Sequence, residues 1–125
     1  MEDDFIFTKP KKEVDIIINK FLSDYKENWD VIMLTTVHKN LEKIDNRDYI
    51  KNVNSATTSS GYIIQKHFYD KLIEKFKFCL KKMEEEMNKW SKTNIGKKKN
   101  STSWAFDQCW SDLQKKADGM YLIHI

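Results

Sequence analysis

The sequence predicts a mainly α-helical domain, a small bundle built on a long central amphipathic helix at about 62–92, with strand-like apolar termini. Three observations lead there. Apolar residues recur at helical spacing in three tracts; Pro10, Gly61, Gly96 and Gly119 fall between or beside those tracts; and the polar stretches 54–61 and 93–102 read as loops. The alternative is an α+β domain in which residues 5–7, 31–37 and 120–125 form a small sheet.

The N-terminal flank, residues 1–9, is expected to be flexible. The first tract begins near Pro10, whose fixed φ suits an opening helical turn, and Val14, Ile17, Ile18, Phe21, Tyr25, Trp29 and Ile32 make one stripe. Helix is expected to run on through Val37, Leu41 and Ile44, because no turn signal precedes Asp45-Asn46. The β-branched run 31–37 leaves a break or a strand open at that point. Residues 45–53 read as a short helical piece, and Asn54 to Gly61 as the clearest loop.

The second tract carries Ile64, Phe68, Leu72, Phe76, Cys79, Leu80, Met83, Met87 and Trp90, a rod of roughly 45 Å at 1.5 Å per residue. Lys81 with Glu85, Lys82 with Glu86, and Glu85 with Lys89 are spaced to pair on its outer face. A third helix is expected from a Ser103 cap through Trp104, Phe106, Cys109, Trp110, Leu113 and Ala117, stopped by Gly119. The apolar segment Met120 to Ile125 and its counterpart Phe5-Ile6-Phe7 need something to lie on, whether each other, the helices or a partner.

A chain of 125 residues is one domain's worth, and Leu, Ile, Val and Phe make up about a quarter of it, enough to fold. Of its 22 basic residues only Arg47 is arginine, against 19 acidic ones. Scattered lysines opposite scattered carboxylates describe a solvated surface better than a phosphate reader, and lysine-rich, Asn-rich composition also follows from an AT-rich genome. The acidic start Met1-Glu2-Asp3-Asp4 is followed by no long apolar run, so neither an export signal nor a membrane span is read, and an intracellular, cytoplasmic location is expected. Cys79 and Cys109 are accordingly read as small buried thiols, with one disulfide as the lesser alternative. Asn100-Ser101-Thr102 fits a glycosylation sequon that matters only in an exported chain.

No phosphate loop, nucleophile elbow or kinase signature is present, and no enzyme is expected. His38, His67 and His124 lack the paired spacing of metal ligands, so neither metal nor cofactor is implied. The candidates are surfaces. Trp90 and Trp104 flank the basic connector, and with Phe5, Phe7, Tyr121, Ile123 and Ile125 they make the candidate protein interface. Lys97, Lys98 and Lys99, with Lys89 and Lys92, are the candidate nucleic-acid contact. The function expected is a non-catalytic interaction or assembly subunit of a larger intracellular complex; the alternative is an RNA-binding or ribonucleoprotein-associated factor using the 97–99 connector. Partner identity and oligomeric state are not legible in the sequence.

Overall fold

The computed structural model describes residues 6–35, 37–44, 46–57, 61–96, 104–116 and 120–123, with the side chains at 37–39, 112, 115, 116, 120, 122 and 123 outside the description. Their elements run α1 (Lys11–Tyr25), β1 (Val31–Met33), β2 (Val37–Lys43), β3 (Ile50–Thr57), β4 (Tyr62–Ile64), a 3-10 turn (Lys66–Phe68), α2 (Tyr69–Thr93), α3 (Phe106–Cys109), α4 (Ser111–Lys116) and β5 (Met120–Ile123). The expectation of a mainly α bundle is overturned: the strands join into one five-stranded sheet, in the order β2-β3-β5-β1-β4, and the architecture is α+β.

Helix α1 starts where Pro10 suggests, with the Pro10 carbonyl accepting from the Glu13 and Val14 amides at 2.9 and 3.2 Å. It does not continue to Ile44. Lys26 takes a left-handed φ of 51°, its amide donates to the Leu22 carbonyl at 2.8 Å, and the chain turns back. The Trp29 indole N–H then donates to the Lys26 carbonyl at 2.9 Å and the ring packs edge-on against Phe21. Neither glycine nor proline makes this turn, so no sequence signal announces it.

Beyond the turn, Val31, Ile32 and Met33 have no exposed surface. A strand alternates its side chains between two faces, and here both faces are covered, which is why an unbroken apolar run suits it. Val31 and Met33 join Val53, Ala56, Phe68, Leu72 and Trp110 on one side. Ile32 joins Phe21, Trp29, Ile50 and Tyr121 on the other, beneath α1. The molecule is therefore three layers deep, with α1 on one face of the sheet and α2 to α4 on the other.

The other departures have the same origin in pairing between distant segments. Within the expected helical piece 45–53, the described residues 46–53 form no helix; Asn46, at φ 60°, helps turn β2 into β3, and Asn is among the few side chains that tolerate that region. Residues 54–57 are not loop but the end of β3, where Asn40 faces Ser55 and Val37 faces Thr57. Residues 62–68 do not begin the long helix. Tyr62, Ile63 and Ile64 pair antiparallel with Met33, Ile32 and Val31, and the Gln65 amide donates to Asp30 at 2.9 Å.

The apolar segment at 120–123 does find something to lie on: β5 inserts between β3 and β1, antiparallel to the first and parallel to the second. Parallel neighbours require a crossover, and here the chain from β2 to α4 supplies it. The expected third helix is two short ones, α3 and α4, with fully buried Trp110 between them. Buried Gln114 of α4 accepts the Ala56 amide at 2.6 Å, so a side chain serves β3 beyond the Ile50–Asn52 stretch that β5 pairs. Among the described residues the Trp110 indole nitrogen and the Gln114 amide nitrogen have no hydrogen-bond partner.

Candidate protein-docking surface

Helix α2 is anchored at its base and bare beyond it. Its core face consists of Leu72 and Cys79, seven residues apart, and after Cys79 no residue of α2 is buried. Cys79 is joined to Cys109 of α3 by a disulfide, so the reading of both as free thiols is corrected. The bond crosses 30 residues of sequence and neither partner lies in a recognisable motif; only the fold brings them together.

A second stripe lies about a sixth of a turn around the helix from that core face. Tyr69, Ile73, Phe76, Leu80, Met83, Met87 and Trp90 follow each other at alternating steps of four and three. Ile73 is 49% exposed and Leu80 51%, while Tyr69, Phe76 and Met87 are exposed and Met83 and Trp90 half-buried. Large apolar side chains at this spacing ordinarily face another helix.

The stripe runs beside a wall of aromatic residues. The Phe76 ring stacks on Phe106 with centroids 3.6 Å apart, Phe106 leans on Trp110 at 5.2 Å, and Trp104 meets Phe78 edge-on at 5.8 Å. Between helix and wall lies a groove of about 310 Å³ lined by Phe76, Lys77, Cys79, Leu80, Met83, Trp104 and Phe106. A shallower depression of about 530 Å³ follows along Met83, Glu84, Met87 and Asn88, so Met83 joins the two.

A different surface forms at the β2–β3 turn, a cleft of about 550 Å³ whose lining includes Lys43, Arg47, Asp48 and Lys51. Lys43 and Lys51 are direct cross-strand partners, a like-charge pairing that destabilises a sheet unless an anion offsets it. Nearby, the Lys20 ammonium lies 4.5 Å from the Tyr49 ring centroid and the Arg47 guanidinium 4.7 Å from that of Tyr25. The Tyr49 hydroxyl donates to Asp24 at 2.5 Å; burial first, then that bond and the Asp24 charge, push its phenol well above the ordinary value.

Of the residues singled out in the sequence, Trp90 and Trp104 lie half-buried at the outer and inner parts of this region. Tyr121 is a core residue, 8% exposed and packed against Phe21 and Tyr25, so it offers no docking surface. Phe7 is exposed ahead of α1, and Ile123 is in β5 with its backbone paired to Ile50. Lys89 and Lys92 are exposed on the last turns of α2. Phe5, Ile125, Lys97, Lys98 and Lys99, like Ser103, Gly119, His124 and the Asn100 sequon, lie outside the described residues.

His67 bonds to Asp30 at 2.6 Å, and an ion pair on the outer face of α2 joins Lys82 to Glu85 at 3.4 Å. Among the described residues no three His, Cys, Asp or Glu side chains converge as a metal site would require, and no helix is long and apolar enough to cross a membrane.

The exposed part of the stripe was hidden because the sequence pattern merged two rows into one. Leu72 and Cys79 belong to the core row, whereas Phe76, Leu80 and Met87 belong to the outer one, and Ile73 completes the latter. The strict four-three alternation was the available signal. No protein-family model, curated protein or solved structure matches the chain.

Proposed function

We propose that this chain is a non-catalytic interaction subunit that docks through the outer stripe of α2 and the aromatic wall beside it. The observation that carries the reading is the row from Tyr69 to Trp90, kept in four-three register along a helix with no fully buried residue after Cys79. Covering Ile73, Phe76, Leu80 and Met87 would contribute roughly 1 kcal/mol each, since between 37% and 51% of each is exposed. Groups of this size left in water mark interaction sites. A photo-crosslinking amino acid at position 80 tests it, with position 71 on the same helix as control. A polypeptide adduct from position 80 and none from 71 is expected; no adduct from 80, or equal yields, would contradict the reading.

A second reading, contact with RNA or another polyanion, draws support from the opposed Lys43 and Lys51 with Arg47 close by, and from exposed Lys89 and Lys92 beside Trp90. It predicts binding that weakens steeply with salt. Comparing Lys43→Glu with Lys51→Glu, and Lys97, Lys98 and Lys99 each changed to Ala, separates the cleft from the connector. Absence of RNA binding at low salt would end this reading.

A cytoplasmic location remains part of the proposal only if the Cys79–Cys109 bond is made there. Disulfides persist in oxidising compartments, so the bond favours one of those instead. Thiol labelling of the native protein from its own cells decides between the two: unreactive cysteines that label after reduction would place the chain outside the cytoplasm.

A further inference from the structure

We infer that the occupant of the α2 stripe is a second copy of this chain, laid antiparallel across the first about a two-fold axis between Leu80 and Met83. The inference rests on the docking reading above and names its partner. In a two-helix pairing of opposite direction, each a-type residue sits level with a d-type residue of the other helix. The stripe then closes on itself in three layers, Leu80 with Met83, Phe76 with Met87 and Ile73 with Trp90, each occurring twice by symmetry.

Charge selects this direction. On the open flank of the stripe lie exposed Asp70, Lys77, Glu84 and Ser91, and among the described residues neither Lys77 nor Glu84 has an ion-pair partner. The antiparallel register brings Lys77 of each copy beside Glu84 of the other, giving two opposite-charge contacts. A parallel register would instead set Asp70 and Lys77 of one copy against the Trp104 and Phe106 wall of the other. The opposite flank offers no pair of charges, because Leu72 and Cys79 are buried in their own chain and Glu86, the next residue along it, would lie beside the partner's Cys79.

Shape agrees. The body of each chain covers the first half of its α2, and the antiparallel arrangement places the body of one copy level with the bare second half of the other. Met83 and Met87 of one copy reach the groove between Leu80, Phe106 and Trp104 of its partner, and unbranched methionine adapts to such a space.

The test is a charge exchange read by light scattering and sedimentation on the full chain, whose single-copy mass is 15.0 kDa. The native protein is expected at twice that mass in the micromolar range. Lys77→Glu and Glu84→Lys singly should each weaken association about ten-fold, since both contacts become repulsive, and the double variant should recover it. Both positions are exposed, so circular dichroism of all three variants should match the parent. A chain monomeric at hundreds of micromolar, or a double variant no better than the singles, overturns the inference. The position-80 crosslink then separates the two claims: an adduct with a different polypeptide keeps the docking reading and removes the second copy, while no adduct removes both.

Discussion

Two stretches of apolar sequence meet opposite fates in this molecule. Val31 to Met33 in β1 is enclosed by a strand on either side, by α1 on one face and by Phe68, Leu72 and Trp110 on the other. Leu80, Met83, Met87 and Trp90 in α2 are side chains at least as large, yet none of them is buried. The difference is not hydrophobicity but how many neighbours the topology supplies. A strand in mid-sheet is covered by whatever flanks the sheet, whereas a helix longer than the sheet it rests on must run out beyond it. The first stretch specifies the fold, and the second is left over for contact.

The comparison breaks most severely through Trp110, which has no exposed surface and packs against Tyr62 and Phe106. Trp110→Ala should cost about 3–5 kcal/mol in denaturant unfolding. Met87→Ala, on the outer stripe, should change the stability of the single chain by less than about 0.5 kcal/mol. Similar losses from the two would mean that the second half of α2 is core after all.

The next effect lies at the junction of the two regions. The Cys79–Cys109 bond closes a loop of about 30 residues, and replacing both cysteines by Ala should destabilise the chain by about 3 kcal/mol. Because the bond is the last buried point on α2, helix beyond it should fray further in the variant, visible as lost helical circular dichroism before the sheet melts. An unchanged melting midpoint would show that the Phe76–Phe106 stack and Leu72 hold the helix without it.

The smallest effect sharpens the sheet side. Tyr49 has a phenol raised above its unfolded value of 10.0, chiefly by burial and next by its bond to Asp24. A raised folded value means the neutral form is favoured on folding, so its contribution is complete below pH 10 and is lost as pH rises through the folded value. Stability should therefore decline above about pH 10, and Tyr49→Phe should flatten that decline. A parallel decline in both proteins would assign the alkaline loss elsewhere.

How far the sequence could be read depends on where each element's partners lie. Helix α1 was legible because Pro10 and the Val14-to-Tyr25 stripe are local. The rod of α2 was legible from Phe68 onward for the same reason. The strands were not, because their evidence is non-local: Tyr62 to Ile64 keeps phase with the α2 stripe and becomes a strand only by pairing with β1. Asn54 to Thr57 has loop composition and is held by β2 on one side and Gln114 beyond β5. The α+β alternative did name residues 31–37 and 120–125 as sheet formers, but not the register that sets β5 inside rather than at an edge. The docking stripe was half legible: its residues were seen, but which of them face the core depends on where α3 lands.

Amide hydrogen exchange along α2, followed as the protein is diluted, tests the division directly. Leu72 to Cys79 should stay protected at every concentration, since the sheet, α3 and the disulfide hold them, while residues 83–93 should exchange slowly in concentrated protein and quickly once dilution separates the docked chains. Protection at 83–93 as high as at 72–79, and unmoved by dilution, would contradict the account.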